Sequence, residues 1–161
     1  MIRKATLEDL DTILEIYAYA REQMKKTGNP NQWKDNKPNK ETLISDIKNE
    51  ELYVLVDKDI YGCFMFTLKG EPTYKVIYEG EWLSDLPYGT IHKVASNGTH
   101  KGILHQIVEY VSLTTAHLRI DTHHDNKIMQ HCILKEGFTY CGIIHLEDGD
   151  LRMGYEKIEE A

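Results

Sequence analysis

The chain has 161 residues, 41% hydrophobic and 28% charged, with a net charge of −7. These values suit one globular domain over 1–161 with a substantial core, and an acidic chain with no basic stripe is not expected to bind nucleic acid. No apolar run reaches the roughly 20 residues of a membrane span, and the 3 cysteines, Cys63, Cys132 and Cys141, lack C-x-x-C spacing, which predicts reduced thiols in a cytoplasmic protein and no metal site.

Ile2–Ala5 reads as a short strand behind no secretory h-region. Thr6-Leu7-Glu8-Asp9 resembles a capping box and starts a helix with Leu10, Ile13, Leu14, Tyr17 and Met24 on one face. Thr27-Gly28-Asn29-Pro30 stops it. A polar loop from Asn29 to Asn39 carries Trp33. A second helix is predicted over Lys40–Asn49, burying Leu43, Ile44 and Ile47. Glu51–Asp57 and Ile60–Lys69 form a hairpin. Gly70–Pro87, with Tyr74, Val76, Tyr78 and Trp82, reads as a further strand plus a loop. Tyr88–Ala95 is the next strand, followed by a helix over Lys101–Thr115 and a strand over His117–Thr122. A helix over Asn126–Glu136 has Ile128, Met129, Cys132 and Ile133 spaced for burial. Phe138–Leu146 and Leu151–Ile158 close the chain as a hairpin about Asp148-Gly149. The order predicts an α/β fold of the α+β type: a mixed, mostly antiparallel sheet with helices on both faces.

The richest segment is Val94-Ala95-Ser96-Asn97-Gly98-Thr99-His100-Lys101-Gly102-Ile103-Leu104. It reads as a strand end, a glycine-bounded loop and a helix whose face carries Ile103, Leu104, Ile107, Val108 and Val111. Bare N–H groups at a helix mouth, beside Lys93, His100 and Lys101, suit a phosphate or pyrophosphate. Neither G-x-x-x-x-G-K-[ST] nor G-x-G-x-x-G is present. His123-His124 between Asp121 and Asp125 matches no zinc spacing and is expected as a solvated loop. His131 and Cys132 are adjacent on a helix, about 100° apart, so they do not pair. Cys132 is expected in the core.

Two motifs resemble the GCN5-related N-acetyltransferase (GNAT) family. One is Thr99-His100-Lys101-Gly102-Ile103-Leu104, similar to R/Q-x-x-G-x-G/A. The other runs from Asp121 through Asn126, Ile128 and Met129 to Lys135-Glu136-Gly137-Phe138, similar to N-x-x-A…K-x-G-F. The likeness extends from Ile2 to about Glu156. Thr99 stands where Arg or Gln is usual and Leu104 where Gly or Ala is usual. Ile133 replaces a common tyrosine acid.

The resemblance implies an acetyl-CoA-dependent N-acetyltransferase. Acetyl would pass directly, in a ternary complex, to the primary amine of a small molecule or peptide. It implies that the backbone of Lys93, Val94 and Ala95 pairs with the pantetheine arm, one N–H polarising the thioester carbonyl. The N–H groups of His100, Lys101, Gly102, Ile103 and Leu104 would take the pyrophosphate, with Thr99 at the loop's start. Asn126 would bond the arm and Met129 pack beside it; Asn126 is also expected as a helix N-cap. An ammonium of pKa about 10.4 must lose a proton before attack. His92, two residues before Val94, is the candidate base, with Glu79, Glu81 and Tyr88 as alternatives. Tyr140, or Ser96, is the candidate acid for the thiolate. The resemblance puts the acceptor site in the first two helices, their loop and the segment before the central strand, where Trp33 and Trp82 are candidate contacts and Tyr17 is assigned to the core. The alternative is a non-catalytic acyl-CoA-binding or regulatory module. Neither a membrane nor a nucleic-acid partner is expected. Monomer and homodimer are both open, an exposed edge strand near the C-terminus being available for pairing.

Overall fold

The computed structural model describes residues 1–158. The chain divides into two compact units, Met1–Phe66 with His92–Ile103, and Thr67–Ile91 with the chain from Leu104 onward. In the first, β1 (Ile2–Lys4), β2 (Leu52–Asp57) and β3 (Asp59–Thr67) run antiparallel in order. Against them pack α1 (Leu10–Lys26) and α2 (Lys40–Lys48). The buried cluster takes Leu10, Ile13, Ile16 and Tyr17 from α1, Leu43 and Ile47 from α2, Leu52 and Val54 from β2, Cys63 from β3 and Ala95 from β4.

Local chemistry explains the helix ends. The Asp9 carboxylate accepts from the Thr6 N–H at 2.8 Å and the Thr6 hydroxyl at 3.2 Å. Arg3 grips the same carboxylate with two bonds of 2.8 and 3.0 Å and holds its pKa below the usual range. Gly28, at φ +84°, lets the chain leave α1. The Asn39 side chain caps α2 by accepting from the Thr42 N–H at 2.8 Å.

Strand β4 (Gly89–Ser96) contributes residues to both units. In the second unit its first half runs parallel to β5 (His117–Thr122) with Gly89 opposite Leu118. A parallel step requires a crossover, and α3 (Ile103–Val111) supplies it. β7 (Leu151–Ile158) lies antiparallel between β5 and the edge strand β6 (Thr139–His145). The seven-stranded sheet thus has the order β1-β2-β3-β4-β5-β7-β6 and is mostly antiparallel. α4 (Lys127–Lys135) connects β5 to β6.

Four expectations are corrected. Gly70–Pro87 forms no full strand. It holds a 3-10 turn at Pro72–Tyr74 and an isolated antiparallel bridge between Tyr78 and Ile143. That bridge occupies the outer edge of β6, expected to be open. Tyr78 and Ile143 exchange N–H···O bonds of 2.9 and 2.8 Å. α3 begins only at Ile103 because Gly102 has a φ of +68°, outside the helical range. In α4 only Ile133 is fully buried; Ile128 is 61% exposed and Cys132 is half-buried, so that stripe faces partly to solvent.

Side chains hold the irregular segment. Buried Arg119 donates to Glu156 Oε1 at 3.0 Å and to the Ser84 carbonyl at 2.7 Å. Glu156 is fully buried and its other oxygen accepts from the Leu83 N–H at 2.7 Å. The Arg119 guanidinium lies 4.0 Å from the ring centroids of both Trp82 and Tyr88. Trp82 Nε1 donates to the Tyr74 carbonyl at 2.8 Å, and the Tyr74 hydroxyl to Asp121 at 2.5 Å. Gly154 makes room: a Cβ there would come within 2.9 Å of the Trp82 ring.

Breaking a buried ion pair from one side leaves an uncompensated charge. Arg119→Met or Glu156→Gln is expected to cost about 3–5 kcal/mol in urea unfolding, and Arg119→Met with Glu156→Leu to recover most of it. A second prediction concerns α3. His105 faces Glu136 and Glu109, each at 2.9 Å. Glu136, then Glu109, raises its pKa. The stabilisation is complete below the unfolded value of about 6.5 and disappears as pH rises through the folded value. His105→Gln should therefore lower the urea midpoint at about pH 5.5 and leave it unchanged at about pH 9.

Candidate active site

β4 is interrupted at Lys93, whose φ of +56° is left-handed. Inside a strand this costs a lysine about 1–2 kcal/mol, so other contacts must hold it. The Tyr17 hydroxyl donates to the Lys93 carbonyl at 2.6 Å. The Lys93 ammonium meets Asp46 Oδ2, also at 2.6 Å. Tyr17 is fully buried and Asp46 is 6% exposed. Burial, with Cys63 and Asp46 nearby, pushes the Tyr17 phenol well above its ordinary pKa, so it stays a donor. Burial likewise pushes the Cys63 thiol up to about 12.

Two consequences follow for β4. The strict alternation assumed from His92 to Val94 is broken at Lys93: His92, Lys93 and Val94 are all half-buried, between buried Ile91 and Ala95. The Lys93–Val94 peptide also has a fixed direction. In a planar trans peptide the C=O and N–H point oppositely, so the Val94 N–H points away from the Tyr17 hydroxyl. β3 approaches closely at Gly62, where a Cβ would lie 3.1 Å from the Ala95 carbonyl.

The loop beyond β4 is ordered by its own polar groups. Asn97 Oδ1 accepts from the Thr99 N–H at 3.1 Å and the Thr99 hydroxyl at 2.7 Å. This turns the Thr99 N–H into the loop. The His100 ring stacks on Tyr61 at 3.8 Å between centroids. Its Nδ1 lies 2.8 Å from Thr99 Oγ1 and its Nε2 3.1 Å from Asp57 Oδ2. Of the three cations expected to favour an anion, Lys93 and His100 thus face Asp46 and Asp57, while Lys101 is exposed. Gly102 has open space where a Cβ would stand. Beyond it, the first N–H groups of α3 have no intrahelical partner. Trp33, the other site residue expected in this unit, packs edge-on against Tyr17 at 5.5 Å and is half-buried.

In the second unit Leu104 is 5% exposed, beside Ile107, Val108 and Val111 on the buried face of α3. Its side chain belongs to the core. Asn126 is the expected cap of α4, accepting from the Met129 N–H at 3.1 Å. Met129 is half-buried. Tyr140 is 41% exposed, edge-on to Tyr155 at 5.6 Å. Desolvation first, then Glu79 and Cys141, raise its pKa, which keeps the phenol protonated. Trp82 is tied into the Arg119 cluster, as is Tyr88, whose hydroxyl accepts from the Glu71 N–H at 3.1 Å. The histidine loop is not fully solvated: His123 is 8% exposed and its Nδ1 accepts from the Asp125 N–H at 3.0 Å. Burial, then Arg152 and His124, lower its pKa. Candidate ligand atoms of His123, His124 and Asp125 lie within 4.8 Å of one another.

A GNAT-family acetyltransferase from Streptococcus agalactiae 2603 is 33% identical to this chain with a TM-score of 0.88, over 100% of this chain and 96% of its own. The chain belongs to the GNAT family. A ribosomal-protein-alanine N-acetyltransferase from Brucella melitensis shares the fold at 17% identity and a TM-score of 0.65, over 99% of this chain and 98% of its own. So does yncA of Salmonella typhimurium, solved with its cofactor acetyl-CoA, at 14% identity and a TM-score of 0.63, over 100% of this chain and 95% of its own. No protein-family model and no curated protein matches the sequence.

Within this GNAT chain, sequence reasoning missed Tyr17 as more than packing and missed Asp46 altogether. A signal for Asp46 was present: a carboxylate beside Ile47 and three residues after Leu43 sits on the buried face of a short helix, where a charge needs a partner. Nothing in the sequence marked Lys93 as left-handed.

The loop glycines differ in a measurable way. Gly102→Ala meets no atom and should cost about 1–2 kcal/mol from its positive φ alone. Gly98, at φ +81°, would also bring a Cβ to 2.7 Å from the Tyr19 hydroxyl, the tip of an exposed side chain that can swing aside, so Gly98→Ala should destabilise only slightly more. Parallel urea titrations compare the two.

Proposed function

We propose that the protein is an acetyl-CoA-dependent N-acetyltransferase acting by direct transfer to the primary amine of a small molecule or peptide, the whole chain serving as one catalytic domain. The observation that carries this reading is the left-handed break at Lys93, followed by a glycine-bounded loop and the mouth of α3, in a GNAT-family chain. Acetyl-CoA would supply an activated thioester. The open backbone at Gly102 and exposed Lys101 suit its pyrophosphate, held by α3 N–H groups and the helix dipole.

The Val94 N–H, directed by the Lys93–Val94 peptide, is the donor assigned to the thioester oxygen as negative charge develops there. His92, half-buried in the same strand, is assigned the proton of the incoming ammonium. Tyr140 is assigned as donor to the departing thiolate. Ile133, fully buried on α4, has no proton to give from the position where related chains often carry tyrosine. Trp33, on the α1–α2 connection, is assigned to the acceptor.

Calorimetric titration with acetyl-CoA should give micromolar binding that a Lys101→Glu, Gly102→Glu variant loses. Absence of wild-type binding would remove the reading. Binding without amine-dependent release of CoA thiol, across a broad amine panel, would instead mark a non-catalytic acyl-CoA module. His92→Ala should lower kcat by about 100-fold or more while leaving acetyl-CoA affinity nearly unchanged; an unaltered kcat removes His92 from the mechanism.

A further inference from the structure

Lys93 is held by two handles. Its carbonyl accepts from Tyr17 on α1, and its ammonium pairs with Asp46 on α2. Both partners are buried, and neither belongs to β4. A left-handed lysine in a strand is drawn back toward extended geometry as its restraints are released. That return would rotate the Lys93–Val94 peptide and re-aim the Val94 N–H with it. Satisfying a single stray charge needs no such arrangement. A buried carboxylate on a helix could be avoided by an apolar residue at position 46, and a phenylalanine at 17 would fill nearly the same space. What the two polar groups do jointly is fix one peptide plane.

We propose that Tyr17 and Asp46 are positioning residues which, acting through Lys93, set the direction of the Val94 N–H and thereby the recognition of the acyl carbonyl. The inference rests on the acetyltransferase reading. It assigns a role in substrate geometry to two helix residues that are not placed among the reacting groups. The ion pair restrains the lysine side chain and the phenol restrains its carbonyl, so loss of either alone frees part of the motion. Positioning of this kind is sensitive: a displacement of about 1 Å at a reacting centre can cost about 100-fold in rate.

The test compares acetyl-CoA with CoA, which differ only by the acyl group that Val94 would contact. Full-length ¹⁵N-labelled protein is titrated with each, and the Val94 amide resonance is followed alongside calorimetric affinities. In the wild type, acetyl-CoA should shift the Val94 amide and CoA should not. In Asp46→Asn and Tyr17→Phe, both near-isosteric, the Val94 resonance of the free protein should move and the acetyl-specific shift should shrink or vanish. CoA affinity should stay within about threefold, because its pyrophosphate contacts lie elsewhere. A purely structural role would lower the unfolding midpoint and leave the acetyl-specific shift of the folded protein intact. Should Asp46→Asn fail to fold, Tyr17→Phe, which leaves the ion pair in place and frees the Lys93 carbonyl, carries the same test. Folded variants that retain the wild-type Val94 response overturn the proposal and leave the acetyltransferase reading standing. A wild type that binds neither acetyl-CoA nor CoA overturns that reading, and this one with it.

Discussion

The left-handed backbone at Lys93 is the constraint on which the proposed chemistry depends. A regular strand spends its backbone groups on its neighbours, whereas a strand broken at one residue can turn a peptide out of the ladder. The break is unfavourable for a lysine, and the first unit stabilises it with a phenol from α1 and a carboxylate from α2. The helices therefore do more than cover the sheet. Their buried faces carry two polar groups among otherwise apolar residues, and both reach the same residue of β4. In this part of the molecule fold stability and site geometry are linked through one side chain.

The second unit solves a different problem. Its segment before β4 has little regular structure and two prolines, Pro72 and Pro87. Backbone ladders cannot order such a stretch, so side chains do. Arg119 joins a carboxylate, a carbonyl and two aromatic rings, while Glu156 reaches back to the Leu83 N–H. A guanidinium suits this role because its planar fork bonds at its edge while its face stacks. Trp82 is consequently part of the framework that gives the segment its shape. Trp33, by contrast, is half-buried in a polar loop and packs edge-on against Tyr17.

Much of the fold was legible because periodicity and punctuation agreed. The first helix is framed by Thr6–Asp9 and Gly28, the second by Asn39, and β5 falls on His117–Thr122 as read from the sequence. The segment after Gly70 was misread because its aromatic residues look strand-forming locally, while its conformation is set by Arg119 and Glu156 far along the chain. The stripe on α4 was overestimated for a related reason: spacing defines a face, not the depth to which it is covered. At the site, the glycine loop was visible as a motif. Its internal wiring was not, because whether Asn97 bonds Thr99, or His100 stacks on Tyr61, depends on turns that sequence spacing does not determine. Lys93 and His100 were visible as basic side chains, but their partners Asp46 and Asp57 lie 47 and 43 residues away along the chain.

The bridge between Tyr78 and Ile143 has a meaning for colloidal behaviour. A sheet edge is a template for foreign strands, and soluble proteins blunt it in various ways. Here the blunting element comes from the same irregular segment whose neighbouring residues are anchored by Arg119. An incoming strand must first evict an intramolecular competitor that is always present at high local concentration. Lengthening or loosening this segment would weaken that guard. Changes to this segment and resistance to aggregation are thus coupled through a pair of backbone hydrogen bonds.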